Sequence, residues 1–202
     1  MPTYKLTYFN LTGLGEPIRF LLHQSGIKFE DKRLSFEDWA KVKPQMPMAQ
    51  VPVLEIDGKP YHQSKAIGRY IATNNNLYGS NDLEALEIDA TIDTIEDFRI
   101  PLSHYYWEND AALKAKLKET AFQKLPFCLG KLEEQVKKNG GHFVAGKLSW
   151  ADLLYAAYTD YLSIVVDGDL NKDHPELKKL VEKVRALPNI KAYLDKRPKT
   201  QL

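Results

Sequence analysis

Three short stretches in the first third of the chain carry residues able to hold a peptide-like ligand and act on it. Tyr8 closes the run Tyr4-Lys5-Leu6-Thr7-Tyr8-Phe9, just ahead of a glycine-containing loop, Asn10 to Gly15. A phenol in that place serves as core. It also serves as a hydrogen-bond donor to a bound group, because ligands gather at the C-terminal ends of strands in α/β sheets. Pro52 stands inside the apolar run Val51-Pro52-Val53-Leu54-Glu55-Ile56. Proline gives no ladder hydrogen bond, so it suits an edge-strand start. It equally suits a cis X-Pro bond that turns Val51 to offer its N–H and C=O to a ligand backbone. Gln63-Ser64 precedes a helical run. Free N–H groups and a partial positive charge at a helix start suit a carboxylate, and an ordinary serine N-cap has the same sequence.

Other titratable groups offer less. Asp93, Glu96 and Asp97 fall at i, i+3 and i+4, hence on one predicted helix face. Such a face either holds a hard divalent ion or pairs with lysines and arginines. The second reading is the simpler, and no metal is assigned. Cys128 is the single cysteine of the 202 residues, so internal disulfides and CxxC sites are excluded. With 28 basic and 27 acidic side chains the formal charge is +1, which leaves no basic footprint for nucleic acid. No apolar run approaches the ~20 residues of a spanning helix. The start, Met1-Pro2-Thr3-Tyr4-Lys5, lacks the apolar stretch of a secretory signal. The expectation is a cytoplasmic protein.

The elements that must position these residues follow from periodicity. Tyr4 to Phe9 alternates as a strand. Pro17 sits near a helix start, Ile18, Leu21 and Leu22 share a face, and Gly26 is a stop. Phe29 to Leu34 is a second strand. Ser35-Phe36-Glu37-Asp38 opens a short helix that ends before Pro44. Val51 to Ile56 is a third strand, Asp57-Gly58 a hairpin turn, and Lys59 to His62 the return. Ser64 is expected to cap a helix with Ala66, Ile67, Tyr70 and Ile71 on its buried face. Asn74 to Asp82 is polar and linker-like. Beyond it Leu86 to Trp107, Leu113 to Lys138, Ser149 to Val166 and Glu176 to Leu187 are helical, and Pro188 opens a last short helix. The predicted architecture is an α/β unit, β-α-β-α-β-β-α, over residues 1–78, followed by an all-α unit over 82–202.

This order resembles the glutathione transferase family: a thioredoxin-like N-terminal domain and an all-α C-terminal domain. The segments Tyr4 to Asn10, Gln50 to Gly58, His62-Gln63-Ser64 and Ser149-Trp150-Ala151-Asp152 are similar to its sigma class, most of all to insect members. That class also includes haematopoietic prostaglandin D synthase. The resemblance runs from Met1 to Leu202 and implies a homodimer with glutathione as co-substrate, no required metal, and neither nucleic acid nor membrane as partner. It implies that the Tyr8 hydroxyl faces the glutathione sulfur. Trp39 and Lys43 contact the glycyl end, and Val51, beside cis Pro52 and with Gln50 on the same edge, pairs with the cysteinyl backbone. Gln63 and Ser64 bind the γ-glutamyl carboxylate, and Asp97 reaches the γ-glutamyl amine across the dimer. Ser149 and Asp152 match the family's capping box, a folding element.

The implied activity is conjugation of the glutathione thiolate to hydrophobic electrophiles, together with peroxidase activity toward lipid hydroperoxides. The expected electrophile walls are Phe9, Leu11, Gly13, Leu14, His104 and Tyr105, with Trp107, Tyr155 and Leu202 as further candidates. Prostaglandin D synthase has an arginine at the position of Leu14 and a tryptophan where His104 aligns, which weighs against prostaglandin isomerisation. A non-catalytic carrier or crystallin-like protein is the other alternative. The complete set of site residues argues for an enzyme.

Overall fold

The computed structural model describes residues 2–200. Four strands form one mixed sheet in the order β2-β1-β3-β4: β1 (Tyr4–Phe9), β2 (Glu30–Leu34), β3 (Val53–Ile56) and β4 (Lys59–His62). β1 runs parallel to β2, with Tyr8 opposite Arg33, and antiparallel to β3, with Thr7 opposite Val53. The parallel pair needs a crossover, supplied by α1 (Glu16–Gln24). Its residues Ile18, Leu21 and Leu22 are buried in the core, as their spacing predicts. The β3–β4 hairpin turns at Asp57 (φ 50°) and Gly58 (φ 79°), both left-handed, as a two-residue turn of this kind requires.

α2 (Phe36–Val42) is capped by Ser35, whose Oγ accepts the Asp38 N–H at 3.0 Å. Lys43 lies just past its last turn. β3 starts at Val53, two residues later than the apolar run suggests, because Val51 and cis Pro52 lie outside the ladder.

α3 (Ser64–Thr73) departs from expectation in two ways. Its N-cap is Gln63, not Ser64, and no side chain caps it. Its buried face is Ile67, Gly68, Ile71 and Ala72, whereas Ala66 and Tyr70 are exposed. The physical reason is a close helix contact: a Cβ on Gly68 would lie 2.7 Å from the Trp150 ring. Small residues that permit such an approach carry little hydrophobic signal in sequence.

The rest is helical: α4 (Asp82–Trp107), α5 (Ala111–Lys138), α6 (Trp150–Val165), α7 (Pro175–Arg185) and α8 (Pro188–Leu194). α6 is the central post and packs on α1, α4 and α7. Buried apolar residues of all these helices join those of the sheet in one continuous core. Trp150 N–H donates to the Leu77 carbonyl at 2.9 Å and ties the start of α6 to the segment after α3. Among the described residues, no helix is long and apolar enough to cross a membrane.

Candidate active site

Tyr8 ends up buried on β1, under a turn that approaches it very closely. A Cβ on Gly15 would fall 2.3 Å from Tyr8 Cδ1, and one on Gly13 (φ 39°) 2.7 Å from the Tyr8 hydroxyl oxygen. Only glycine leaves room for the ring at both places. The turn also brings the Leu14 N–H to 3.0 Å from Tyr8 Oη, which accepts it. Arg19, fully buried on α1, anchors this loop from beneath. Its Nη1 donates to the Leu11 carbonyl at 2.8 Å and its Nη2 to the Phe9 carbonyl at 3.3 Å. Glu16 and Asp31 balance its charge.

Burial pushes the Tyr8 pKa up to about 12, against opposing pulls from the Leu14 N–H and Arg19. The hydroxyl is therefore neutral at physiological pH. Its oxygen already accepts a hydrogen bond, so its own proton is available to donate. That proton borders a cavity of about 370 Å³ between the β1 loop and α4. Phe9, Leu11, Gly13 and Leu14 line one side, and His104 and Trp107 the other. Phe9 stacks on exposed Phe36 at 4.9 Å and meets Trp39 edge-on at 5.3 Å.

Four lining residues were not foreseen: Phe36, Arg99, Ser103 and Tyr161. Arg99, Ser103, His104 and Trp107 follow a helical stripe, in which steps of four back from Trp107 reach Ser103 and then Arg99. Ser103 Oγ accepts from Arg99 Nη1 at 3.2 Å and from the Tyr161 hydroxyl at 2.9 Å. Burial opposes the Arg99 charge, and Glu96 together with Tyr158 and Tyr161 more than restores it. The far wall thus carries a hydrogen-bonded polar cluster, Arg99, Ser103 and Tyr161, while the near wall is apolar.

Tyr105 is absent from this cavity. One residue on from His104, it is rotated about 100° away and packs edge-on against Phe122 of α5 at 5.6 Å. Tyr155 is buried on α6, bonded to Asn171. Leu202 lies outside the described residues. Glu96 does not share an acidic face with Asp93 and Asp97. It turns inward, where it accepts from Arg99 and from the Tyr158 hydroxyl at 3.0 Å. Asp93 pairs with Lys65, and Asp97 is exposed. Among the described residues, no group of three or more His, Cys, Asp or Glu side chains is gathered for a metal ion.

The remaining predicted residues lie on the segment that runs from α2 to the start of α3. Val51 lies beyond the last ladder pair, Val53 with His62, so its N–H and C=O stand outside the sheet's own pairing. The Val51–Pro52 peptide is cis. Gln50 and Lys43 are exposed, and Trp39 is half-buried. Gln63 holds φ 74°, a strained value for a residue with a side chain. It opens the uncapped N-terminus of α3, where unpaired N–H groups and the helix dipole face outward.

Residues 4–73 match the model of the glutathione S-transferase N-terminal domain, and residues 96–197 that of the C-terminal domain. The chain belongs to the glutathione S-transferase family. Within that family it is 44% identical to a glutathione S-transferase of Anopheles gambiae, over the full length of both chains. It is 38% identical to the hematopoietic prostaglandin D synthase of Rattus norvegicus, again over both whole chains. The solved structure of prostaglandin synthase D of Nilaparvata lugens superimposes with a TM-score of 0.93 at 44% identity, covering 98% of this chain and all of that one. The glutathione S-transferase fold accounts for the arrangement of a four-stranded sheet beside a helical bundle, with the Tyr8 cavity between them.

Proposed function

We propose that this chain is a sigma-class glutathione transferase that joins the glutathione sulfur to hydrophobic electrophiles, and that it works in the cytoplasm as a homodimer. The observation that carries the reading is the Tyr8 hydroxyl. It is neutral, it already accepts the Leu14 N–H, and it donates into a cavity with one apolar wall. Residues 1–78 hold glutathione, and residues 82–202 supply the far wall for the electrophile. Val51 pairs with the cysteinyl backbone from its place outside the ladder. The open start of α3, at Gln63 and Ser64, takes the γ-glutamyl carboxylate. Trp39 and Lys43 receive the glycyl end, with Gln50 on the same edge. Asp97, exposed on α4, reaches the γ-glutamyl amine bound to the other subunit.

In conjugation the thiolate forms the new carbon–sulfur bond and the leaving group departs with its electron pair. In the peroxidase reaction two glutathione molecules supply two electrons to the O–O bond. The products are an alcohol, water and glutathione disulfide.

The test is retention on immobilised glutathione, followed by turnover of 1-chloro-2,4-dinitrobenzene and cumene hydroperoxide. Retention with turnover of both is expected. Retention without turnover of either identifies a carrier.

A second reading is isomerisation of a prostaglandin endoperoxide with glutathione. It rests on the 44% identity to the Nilaparvata lugens protein. Leu14 and His104 set the cavity apart from that of the vertebrate prostaglandin D synthase. Formation of prostaglandin D2 from prostaglandin H2 by the purified chain decides between the two.

The closeness of Gly15 to Tyr8 yields a further expected result. Gly15→Ala must displace either the ring or the turn, because a Cβ has no space beside Tyr8 Cδ1. A displacement near 1 Å costs up to ~100-fold in rate. The conjugation rate should fall at least about tenfold, with the circular dichroism spectrum retained. Parent-like kinetics would mean that the Tyr8 position does not govern the rate.

A further inference from the structure

Just past the end of α8, Arg197 reaches back across the fold to the first residue of α1. Its Nη1 donates to Glu16 Oε1 at 2.7 Å, and its Nη2 donates to Asp160 on α6. One guanidinium thereby joins the start of α1 to the central helix. The backbone of the same residue is fixed too, because its N–H donates to the Tyr193 carbonyl at 2.8 Å. The Tyr193 hydroxyl in turn shares its proton between the two Glu16 oxygens, at 3.0 and 3.1 Å.

Glu16 is only 1% exposed, so protein groups rather than water must balance its charge. Two cations do so: Arg197, and Arg19, whose Nη1 lies 3.2 Å from Glu16 Oε2. That same Nη1 carries the Leu11 carbonyl at 2.8 Å. The Arg19 guanidinium carbon also stands 5.8 Å from the centre of the Tyr8 ring. A route of direct contacts therefore runs from Arg197 through Glu16 and Arg19 to the loop that sets the Leu14 N–H on Tyr8 Oη. Without Arg197, Glu16 keeps its charge and loses one of its two cations. Its remaining attraction then falls on Arg19 Nη1 and draws it off the Leu11 carbonyl.

We infer that Arg197 is a positioning residue for the thiolate chemistry: through Glu16 and Arg19 it holds the Tyr8 hydroxyl where it stabilises the glutathione sulfur. The inference rests on the proposed transferase. Arg197 is not among the residues that line the Tyr8 cavity, so it acts through the loop and not on the ligand. Its two terminal nitrogens serve two carboxylates at once. The single ammonium of a lysine lacks that fork, so lysine replaces the charge and only part of the clasp.

The readout is the ultraviolet absorbance of the thiolate of glutathione bound to the protein, titrated against pH well below each variant's melting temperature. It gives the bound thiol pKa without turnover. Arg197→Met should raise that pKa by about 0.5–1 unit. The kcat/KM for 1-chloro-2,4-dinitrobenzene should fall with it, about three- to tenfold at pH 6, and recover toward pH 9. Glutathione affinity should stay within about twofold of the parent, since no ligand contact is removed. Arg197→Lys should fall between the two. Glu16→Gln added to Arg197→Met removes the unbalanced charge while Asp31 still pairs with Arg19, and should return the pKa most of the way to the parent value. Arg185→Met strips Asp160 of its other partner, at 2.6 Å, without touching Glu16, and should leave the pKa at the parent value. The inference is overturned if Arg197→Met keeps the parent pKa, or if Arg185→Met shifts it as far. It is also overturned if the double variant is no better than Arg197→Met alone. A parent chain that shows no bound thiolate overturns the proposed transferase and this inference with it. A parent with the thiolate and an unmoved Arg197→Met overturns the inference alone.

Discussion

Tyr8→Phe should lower the conjugation rate about 25-fold at pH 7, and the loss should shrink as the pH rises. A free thiol with a pKa near 8.5 is only about 3% thiolate at pH 7. One charge-assisted hydrogen bond contributes roughly 1.5–3 kcal/mol. A stabilisation of about 2.7 kcal/mol of thiolate over thiol lowers the pKa by ~2 units and raises the thiolate fraction to about three quarters. The ratio of those fractions sets the predicted factor. Tyr8 is suited to donate because burial holds its pKa near 12, so it is not itself deprotonated. The Leu14 N–H on its oxygen polarises the hydroxyl further.

The sign follows directly. Removing the donor raises the thiol pKa toward 8.5. The variant should therefore be most impaired below pH 7 and should approach the parent above pH 9. The KM for glutathione should change little, since the proposed γ-glutamyl and glycyl contacts are elsewhere. A pH–rate profile of kcat/KM for an aryl halide at saturating glutathione measures this. A parallel loss at every pH would remove thiolate stabilisation from Tyr8 and leave it a positional part.

Tyr8 could be picked out from sequence because strand alternation and the following glycine loop are local patterns. The same holds for the Asp57-Gly58 turn and for the long helices, whose periodicity extends over several turns. What was not legible depended on partners distant in the chain. Glu96 reads as one of three acids on a helix face. It is buried because Tyr158, 62 residues later, and Arg99 offer it hydrogen bonds. Arg19 reads as one basic residue in a helix. Only the fold shows that it carries the carbonyls of the β1 loop.

The inward face of α3 was misplaced for a similar reason. Its packing is set by the small residues Gly68 and Ala72, Gly68 lying under the Trp150 ring, which period counting cannot score. Tyr105 was misassigned because neighbouring aromatics on a helix look alike in sequence, while 100° of rotation sends one to the cavity and the next to α5. The candidate site was therefore legible where it is made of β1, the cis-proline turn and the α3 start. It was less so along α4, where sidedness depends on what packs behind.

Asp152→Ala should cost about 3 kcal/mol of stability or more while leaving glutathione binding near its parent value. Asp152 is fully buried at the third position of α6. Its Oδ2 accepts the Ser149 N–H at 2.7 Å and the Ser149 hydroxyl at 3.0 Å. Its Oδ1 accepts the Phe143 N–H at 2.9 Å, which ties the preceding loop to the helix. Ser149 returns a bond to the backbone of Asp152, completing the capping box.

Alanine leaves the Ser149 and Phe143 N–H groups buried without acceptors, at roughly 1–3 kcal/mol each. Ser149→Ala removes only one side of the box and should cost about 1 kcal/mol. The damage should spread, because Trp150, the next residue after the cap, hydrogen-bonds Leu77 and packs on Gly68 of α3. At roughly 2–4 °C per kcal/mol for a chain of this size, Asp152→Ala should melt about 6–12 °C lower. Thermal denaturation at one fixed protein concentration measures it, since the proposed subunit association would add to apparent stability. An unchanged melting temperature would show that α6 does not depend on its cap. A large rise in the KM for glutathione without a change in melting would place Asp152 in the site rather than in the scaffold.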